Sequence, residues 1–172
     1  DKYKSDREYV VNDAKLYKKY QDNDGFTYTN QAKCFRLYHM LGAHKRFTLN
    51  ADGTRNKKTT SQKTQIDGCF HIIFDMLDDL KENGVYDKSN IIIMSDHGDK
   101  GKAQWGTLLY KPAGSTGAYK TNSAPVSFLD IPATLASIAG GDVSDAGTGK
   151  TLDDIKEGET YTVLVDGASV GT

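Results

Sequence analysis

The stretch Asn90 to Gly98, Asn-Ile-Ile-Ile-Met-Ser-Asp-His-Gly, constrains the fold of this chain more than any other. Four consecutive large apolar residues, three of them β-branched, predict a strand covered on both faces, as in the parallel sheets of α/β proteins. The run stops abruptly at an acid, an imidazole and a glycine. Ligands of such sheets gather at the carboxyl ends of strands, which is where Asp96 and His97 fall. A carboxylate oxygen and a neutral imidazole nitrogen are ligand types that a catalytic divalent cation takes, and Gly98 lets the backbone turn sharply away. For the dipeptide alone the alternative is a strand end with a solvated Asp-His pair.

The flanking sequence narrows the choice. From Lys63 to Lys81, Ile66, Phe70, Ile73, Leu77 and Leu80 recur at three- and four-residue steps, which predicts a helix with that face buried and a stop at Asn83-Gly84. The whole of Leu77 to Gly98 resembles a hallmark of the sulfatase branch of the alkaline phosphatase superfamily. There a helix, a Gly-hydrophobic-hydroxyl/aromatic-Asp-x-Ser/Thr turn and a strand lead into Ser-Asp-His-Gly or Ser-Asp-Asn-Gly. The agreement runs over roughly twenty ordered positions, unlike a lone short motif. The resemblance implies an α/β, alkaline phosphatase-like sandwich whose mainly parallel central sheet is flanked by helices. It also implies a divalent cation (Ca2+, Mn2+ or Zn2+) held in part by Asp96 and His97.

Cys34 to His44, Cys-Phe-Arg-Leu-Tyr-His-Met-Leu-Gly-Ala-His, reads as a second central strand followed by a loop carrying His44. In sulfatases and their phosphotransferase relatives a similar segment brings a histidine into the active site, often as His-x-Pro; this chain has His44-Lys45-Arg46. By that resemblance His44 either donates to a sulfate or phosphate oxygen or protonates the leaving alcohol, since imidazole titrates near neutrality. The alternative is a loop histidine without a role. His39 and His71 read as structural. Past Gly98 the family commonly places a lysine or histidine that binds the transferred group, which makes Lys102 the substrate-binding candidate, with Lys100 in reserve. Trp105 reads as core and Thr107 to Tyr110 as a short strand.

Ser123 to Gly140 is a further resemblance to the family and explains itself physically. Asp130 is expected to cap a helix, Pro132 to occupy its first turn, Ile131, Leu135 and Ile138 to share a face, and Gly140-Gly141 to end it. Gly147-Thr-Gly-Lys-Thr151 looks like a phosphate-binding loop but has Ser144 where the first glycine belongs, so a nucleotide site is rejected.

Elsewhere the pattern predicts a helix from about Arg7 to Tyr20, a short strand over Phe26 to Thr29, an exposed polar loop over Asn50 to Gln65 and a last strand over Glu159 to Val165. The length of 172 residues suits about one domain. A formal net charge of −1 argues against nucleic acid as the main partner. No stretch is long and apolar enough to read as a membrane span or export signal. Two cysteines, Cys34 and Cys69, leave a disulfide and two buried thiols equally open.

The chain opens at Asp1 and carries neither a Cys-x-Pro-x-Arg nucleophile motif nor an upstream Asp-Asp ligand pair. It is therefore expected to be the C-terminal portion, residues 1–172, of one sulfatase-like catalytic domain, with the resemblance strongest over 34–152. The function that the resemblance implies is metal-dependent hydrolysis of sulfate esters, of which this chain supplies half the metal site. One alternative is a phosphoglycerol or phosphoethanolamine transferase of the cell envelope, similar to lipoteichoic acid synthases; another is a non-catalytic module that keeps the fold. The implied partner is an anionic ester, a sulfated or phosphorylated glycan or lipid. The implied location is extracellular or cell-envelope, with any membrane contact made by segments outside this sequence.

Overall fold

The computed structural model describes residues 12–29, 33–98, 106–144, 146–147 and 150–158. In chain order its elements are α1 (Asp13–Asp22), α2 (Gln62–Glu82), β1 (Ile91–Met94), β2 (Leu108–Lys111) and α3 (Asp130–Ala139). The chain divides into two compact units, 1–89 with 95–107, and 90–94 with 108–172.

In the first unit both helices begin at a side-chain cap. The Asn12 side chain accepts from Lys15 N–H at 3.0 Å, and Ser61 Oγ from Thr64 N–H at 3.0 Å, which satisfies backbone donors that the first turn leaves open. Helix α2 closes at Asn83, followed by Gly84 at φ 65°, where the sequence placed its stop. Ala14 and Tyr17 of α1, Leu49, and Cys69 and Ile72 of α2 form the core, with Tyr20, Met40 and Met76 packed around them. Residues 1–11, part of the helix expected from Arg7, lie outside the described residues.

The buried face of α2 differs from the expected one. Gln65, Gly68, Cys69 and Ile72 are buried, whereas Ile66 is exposed and Phe70, Ile73, Leu77 and Leu80 are half-buried. Helix α2 is apolar on two adjacent stripes, and contact selects between them. A β-carbon added at Gly68 would stand 2.2 Å from the Asn50 carbonyl oxygen, so glycine is what lets this backbone reach the helix.

Most of the polar 50–65 segment is exposed, as its composition predicts, but it is ordered by backbone hydrogen bonds and its last residues, from Gln62, belong to α2. Asn50 N–H donates to Thr54 O at 2.8 Å and Asn56 N–H to Thr48 O at 2.7 Å, around an antiparallel bridge between Leu49 and Arg55. Gly53, at φ 75°, is buried against Ile72 and Tyr17.

No strand forms over Phe26 to Thr29. The Phe26 N–H instead donates to Asp79 Oδ2 at 2.8 Å, and its ring meets Tyr20, Tyr28 and Tyr38. Asp79 also accepts from the Tyr20 hydroxyl at 2.9 Å, the Tyr28 hydroxyl at 3.2 Å and Asn83 Nδ2 at 2.7 Å, so one carboxylate does the work of a ladder. Cys34 to Leu41, expected as a second central strand, is irregular, because a strand requires a ladder partner and the described strands pair with each other. Cys34 is exposed, Cys69 is buried and both thiols are free.

In the second unit β1 and β2 form an antiparallel pair with Ile91 opposite Lys111 and Met94 opposite Leu108. Among the described residues this pair is the whole sheet, and Ile91, Ile92 and Ile93 are half-buried rather than covered on both faces. Helix α3 runs to Gly140 at φ 80°, but Asp130 is not its cap. Leu129 holds that position, while Asp130, fully buried in the first turn, reaches back to accept from Ser127 N–H at 2.7 Å. The buried face is Asp130, Ala133 and Thr134 rather than Ile131, Leu135 and Ile138, and on that side Thr134 Oγ1 accepts from Leu152 N–H at 2.9 Å. Among the described residues no helix is long and apolar enough to cross a membrane. The expected last strand, 159–165, lies outside them.

Candidate active site

Asp96 and His97 come two and three positions after Met94, the last residue of β1. The stem from which they project is closed by a reciprocal pair of hydrogen bonds. Ser95 N–H donates to Thr107 O at 3.0 Å, and Thr107 N–H donates to Ser95 Oγ at 2.8 Å. The Asp96 side chain is 86% exposed and that of His97 49%, so neither is committed to a core.

The two side chains are arranged on each other. Asp96 Oδ1 accepts from His97 N–H at 2.9 Å, leaving Oδ2 directed at His97 Nε2, 3.6 Å away. His97 Nδ1 lies 2.6 Å from the Gly98 carbonyl oxygen. A carbonyl can only accept, so that bond puts the proton of the neutral ring on Nδ1 and leaves the Nε2 lone pair free, as in most metal-bound histidines. Oxygen and nitrogen ligands about 2.1 Å from a tetrahedral cation stand about 3.4 Å apart, and those about 2.4 Å from a larger ion at right angles do likewise. The 3.6 Å separation of Oδ2 and Nε2 fits one edge of either shell. The pair thus has the chemistry and spacing of two metal ligands.

Comparison with models of known protein families, with curated proteins and with solved structures returns no match.

His44 lies in the same compact unit as Asp96 and His97. Its ring is exposed, and Nδ1 makes a short contact with the Lys45 carbonyl oxygen, which again leaves Nε2 free to meet a ligand. Among the described residues no hydrogen bond or ion pair joins His44 to Asp96 or His97. Lys102, with Lys100 and Trp105, lies outside the described residues. Among the described residues no group of three His, Cys, Asp or Glu is placed to hold a metal.

Sequence reasoning missed the residues that shape this surroundings. Ser95, which the sequence does not single out, is half of the stem closure. Asp13, also unmarked, and Gln65, the end of the segment expected as an exposed polar loop, bind the backbone on either side of His44. The available signal was a polar residue, Gln65, on a stripe otherwise made of Gly68, Cys69 and Ile72.

Proposed function

We propose that this chain forms the metal-binding end of a sulfatase-like hydrolase that acts on sulfate esters, with the nucleophile supplied from outside these 172 residues. The observation that carries the reading is the Asp96–His97 pair, with Oδ2 and Nε2 3.6 Å apart and Nδ1 tied to the Gly98 carbonyl. It is supported by the resemblance of Leu77 to Gly98 to the sulfatase hallmark. The overall architecture proposed with it is the alkaline phosphatase-like α/β sandwich, and the implied location is the cell envelope or exterior.

In this reading Asp96 Oδ2 and His97 Nε2 would hold the cation. When bound, the cation supplies Lewis-acid charge that lowers the cost of a developing oxyanion. The remaining steps belong to the chain's own groups. His44, with Nδ1–H on the Lys45 carbonyl and a second proton on Nε2, donates from Nε2 to the departing alcohol oxygen or to the transferred group, and in the first case is left as the neutral ring. Lys102 contributes positive charge against the anionic ester.

The test uses the polypeptide that contains both this chain and the nucleophile, with p-nitrophenyl sulfate as substrate and Mn2+ or Zn2+ titrated by calorimetry. His97→Ala is expected to reduce metal affinity and turnover together. His44→Ala is expected to lower turnover by about two to four orders of magnitude, the range of a general acid, with metal affinity unchanged. A His97→Ala protein with undiminished metal affinity and turnover would remove the reading. Turnover of a phosphodiester with none of the sulfate ester would move it to the phosphotransferase branch.

A further inference from the structure

The turn that carries His44 is held at both ends by side chains of two different helices. Asp13, in the first turn of α1, accepts from Leu41 N–H through Oδ1 at 2.9 Å and from Gly42 N–H through Oδ2 at 3.0 Å. Gln65, in the first turns of α2, accepts from Thr48 N–H at 2.8 Å and from Leu49 N–H at 2.9 Å through one oxygen, Oε1. Its Nε2 donates to the Gly42 carbonyl at 2.7 Å. Gly42 therefore has its N–H fixed by one helix and its C=O by the other, two positions before His44.

These are costly positions for polar side chains. Gln65 is 1% exposed and Asp13 6%, beside the apolar core, and burial pushes the Asp13 carboxyl above its ordinary value despite the two backbone donors. An apolar residue at either place would extend the core but leave the 41–49 backbone donors unpaired. What the two side chains secure is the path of the backbone into and out of the histidine turn, while the imidazole itself stays exposed.

We propose that Asp13 and Gln65 are positioning residues that set where the His44 imidazole stands relative to a bound ester. The proposal rests on the reading of His44 as the group that meets the ester. Placement matters because a displacement of about 1 Å in a reacting group costs about a hundredfold in rate. Gln65→Met keeps the volume and removes its hydrogen bonds to the Gly42, Thr48 and Leu49 backbone, along with a long one to Cys69 Sγ; Asp13→Asn keeps one acceptor oxygen and replaces the other with a donor.

The first measurement does not depend on activity. Hydrogen exchange in the 172-residue chain is expected to quicken about tenfold or more at Thr48 and Leu49 in Gln65→Met, and at Leu41 and Gly42 in Asp13→Asn, with the amides of Ile72 to Leu80 unchanged as the check that α2 is folded. The second is turnover of p-nitrophenyl sulfate by the polypeptide that also carries the nucleophile. Either variant is expected to lower kcat about ten- to a hundredfold with KM within about twofold. Placed on a His44→Ala background, each is expected to cause no further loss, which a merely structural role would not give. Unchanged exchange at the four amides, or a kcat loss that adds in full to that of His44→Ala, overturns the positioning role and leaves the functional reading intact. Unchanged turnover in His44→Ala alone overturns the functional reading and this proposal with it. Should Gln65→Met fail the α2 check, Asp13→Asn decides by the same outcomes.

Discussion

Gly68→Ala separates intrinsic helix preference from tertiary contact, and the two act in opposite directions. In an isolated helix the change is favourable by about 1 kcal/mol. Here the new methyl would lie 2.2 Å from the Asn50 carbonyl oxygen and 3.0 Å from Leu49 Cβ, about 1 Å inside normal contact with a backbone atom that cannot rotate away. Overpacking of this kind costs about 1–3 kcal/mol, and rigid backbone on the far side puts it at the upper end. Backing the 48–50 segment away also stretches the bonds from Thr48 N–H and Leu49 N–H to Gln65, each worth about 1 kcal/mol. With about 3 kcal/mol of overpacking, about 1–2 of weakened hydrogen bonding and about 1 returned by propensity, the net is a destabilisation of about 3–4 kcal/mol. Urea unfolding followed by far-ultraviolet circular dichroism measures it. Lys63→Ala, on the exposed side of the same helix, is the control and is expected to stay within about 0.5 kcal/mol of the parent. A Gly68→Ala protein as stable as the parent, or more so, would show that the 49–50 backbone does not press on α2 and would refute the argument.

Two further outcomes follow from burial. Burial beside the core, with Asp13 nearby, pushes the Cys69 thiol up to about 11, so at pH 8 iodoacetamide is expected to alkylate exposed Cys34 and spare Cys69 until denaturant is added; equal labelling of both in the folded protein would contradict the placement of Cys69. Burial, together with Asp79 for Tyr28 and Asp153 for Tyr110, raises both phenols from 10 to about 12. Because the folded state holds these protons more tightly, the stabilisation is full below pH 10 and is lost as pH climbs through about 12. Denaturation midpoints measured across that window should fall, and tyrosinate absorbance should lag behind that of the urea-unfolded chain; coincident titrations would refute it.

The parts of the fold that were legible in the sequence are those fixed by near neighbours. Helix α2 announces itself by its spacing and by Asn83-Gly84 at its end, both local features, whereas its Ser61 cap lay inside the segment expected as a loop. Strand β2 and the Gly140 stop are local in the same sense. Which side of α2 is covered was not legible, because Ile66, Phe70 and Ile73 are as apolar as Cys69, Ile72 and Met76. The choice rests on the Leu49–Asn50 backbone arriving at Gly68, a contact across the chain. Asp130 shows the same limit, since a residue suited to capping was taken inward by Ser127 N–H. Of the candidate site, Asp96 and His97 were readable because they adjoin in the chain and arrange each other. The support around His44 was not, because Asp13 meets its donors 28 and 29 positions away and nothing in its local sequence marks it.

Ser95 and Thr107 hold each other by two hydrogen bonds, so the ends of the intervening segment meet whatever lies between them. Residues 96–98 stand next to the anchored end at Ser95, so the Asp96–His97 pair takes its place from that closure. An engineer who wishes to keep Asp96 and His97 where they stand would therefore leave Ser95 untouched, since losing its hydroxyl removes one half of the clasp, the other half being backbone alone.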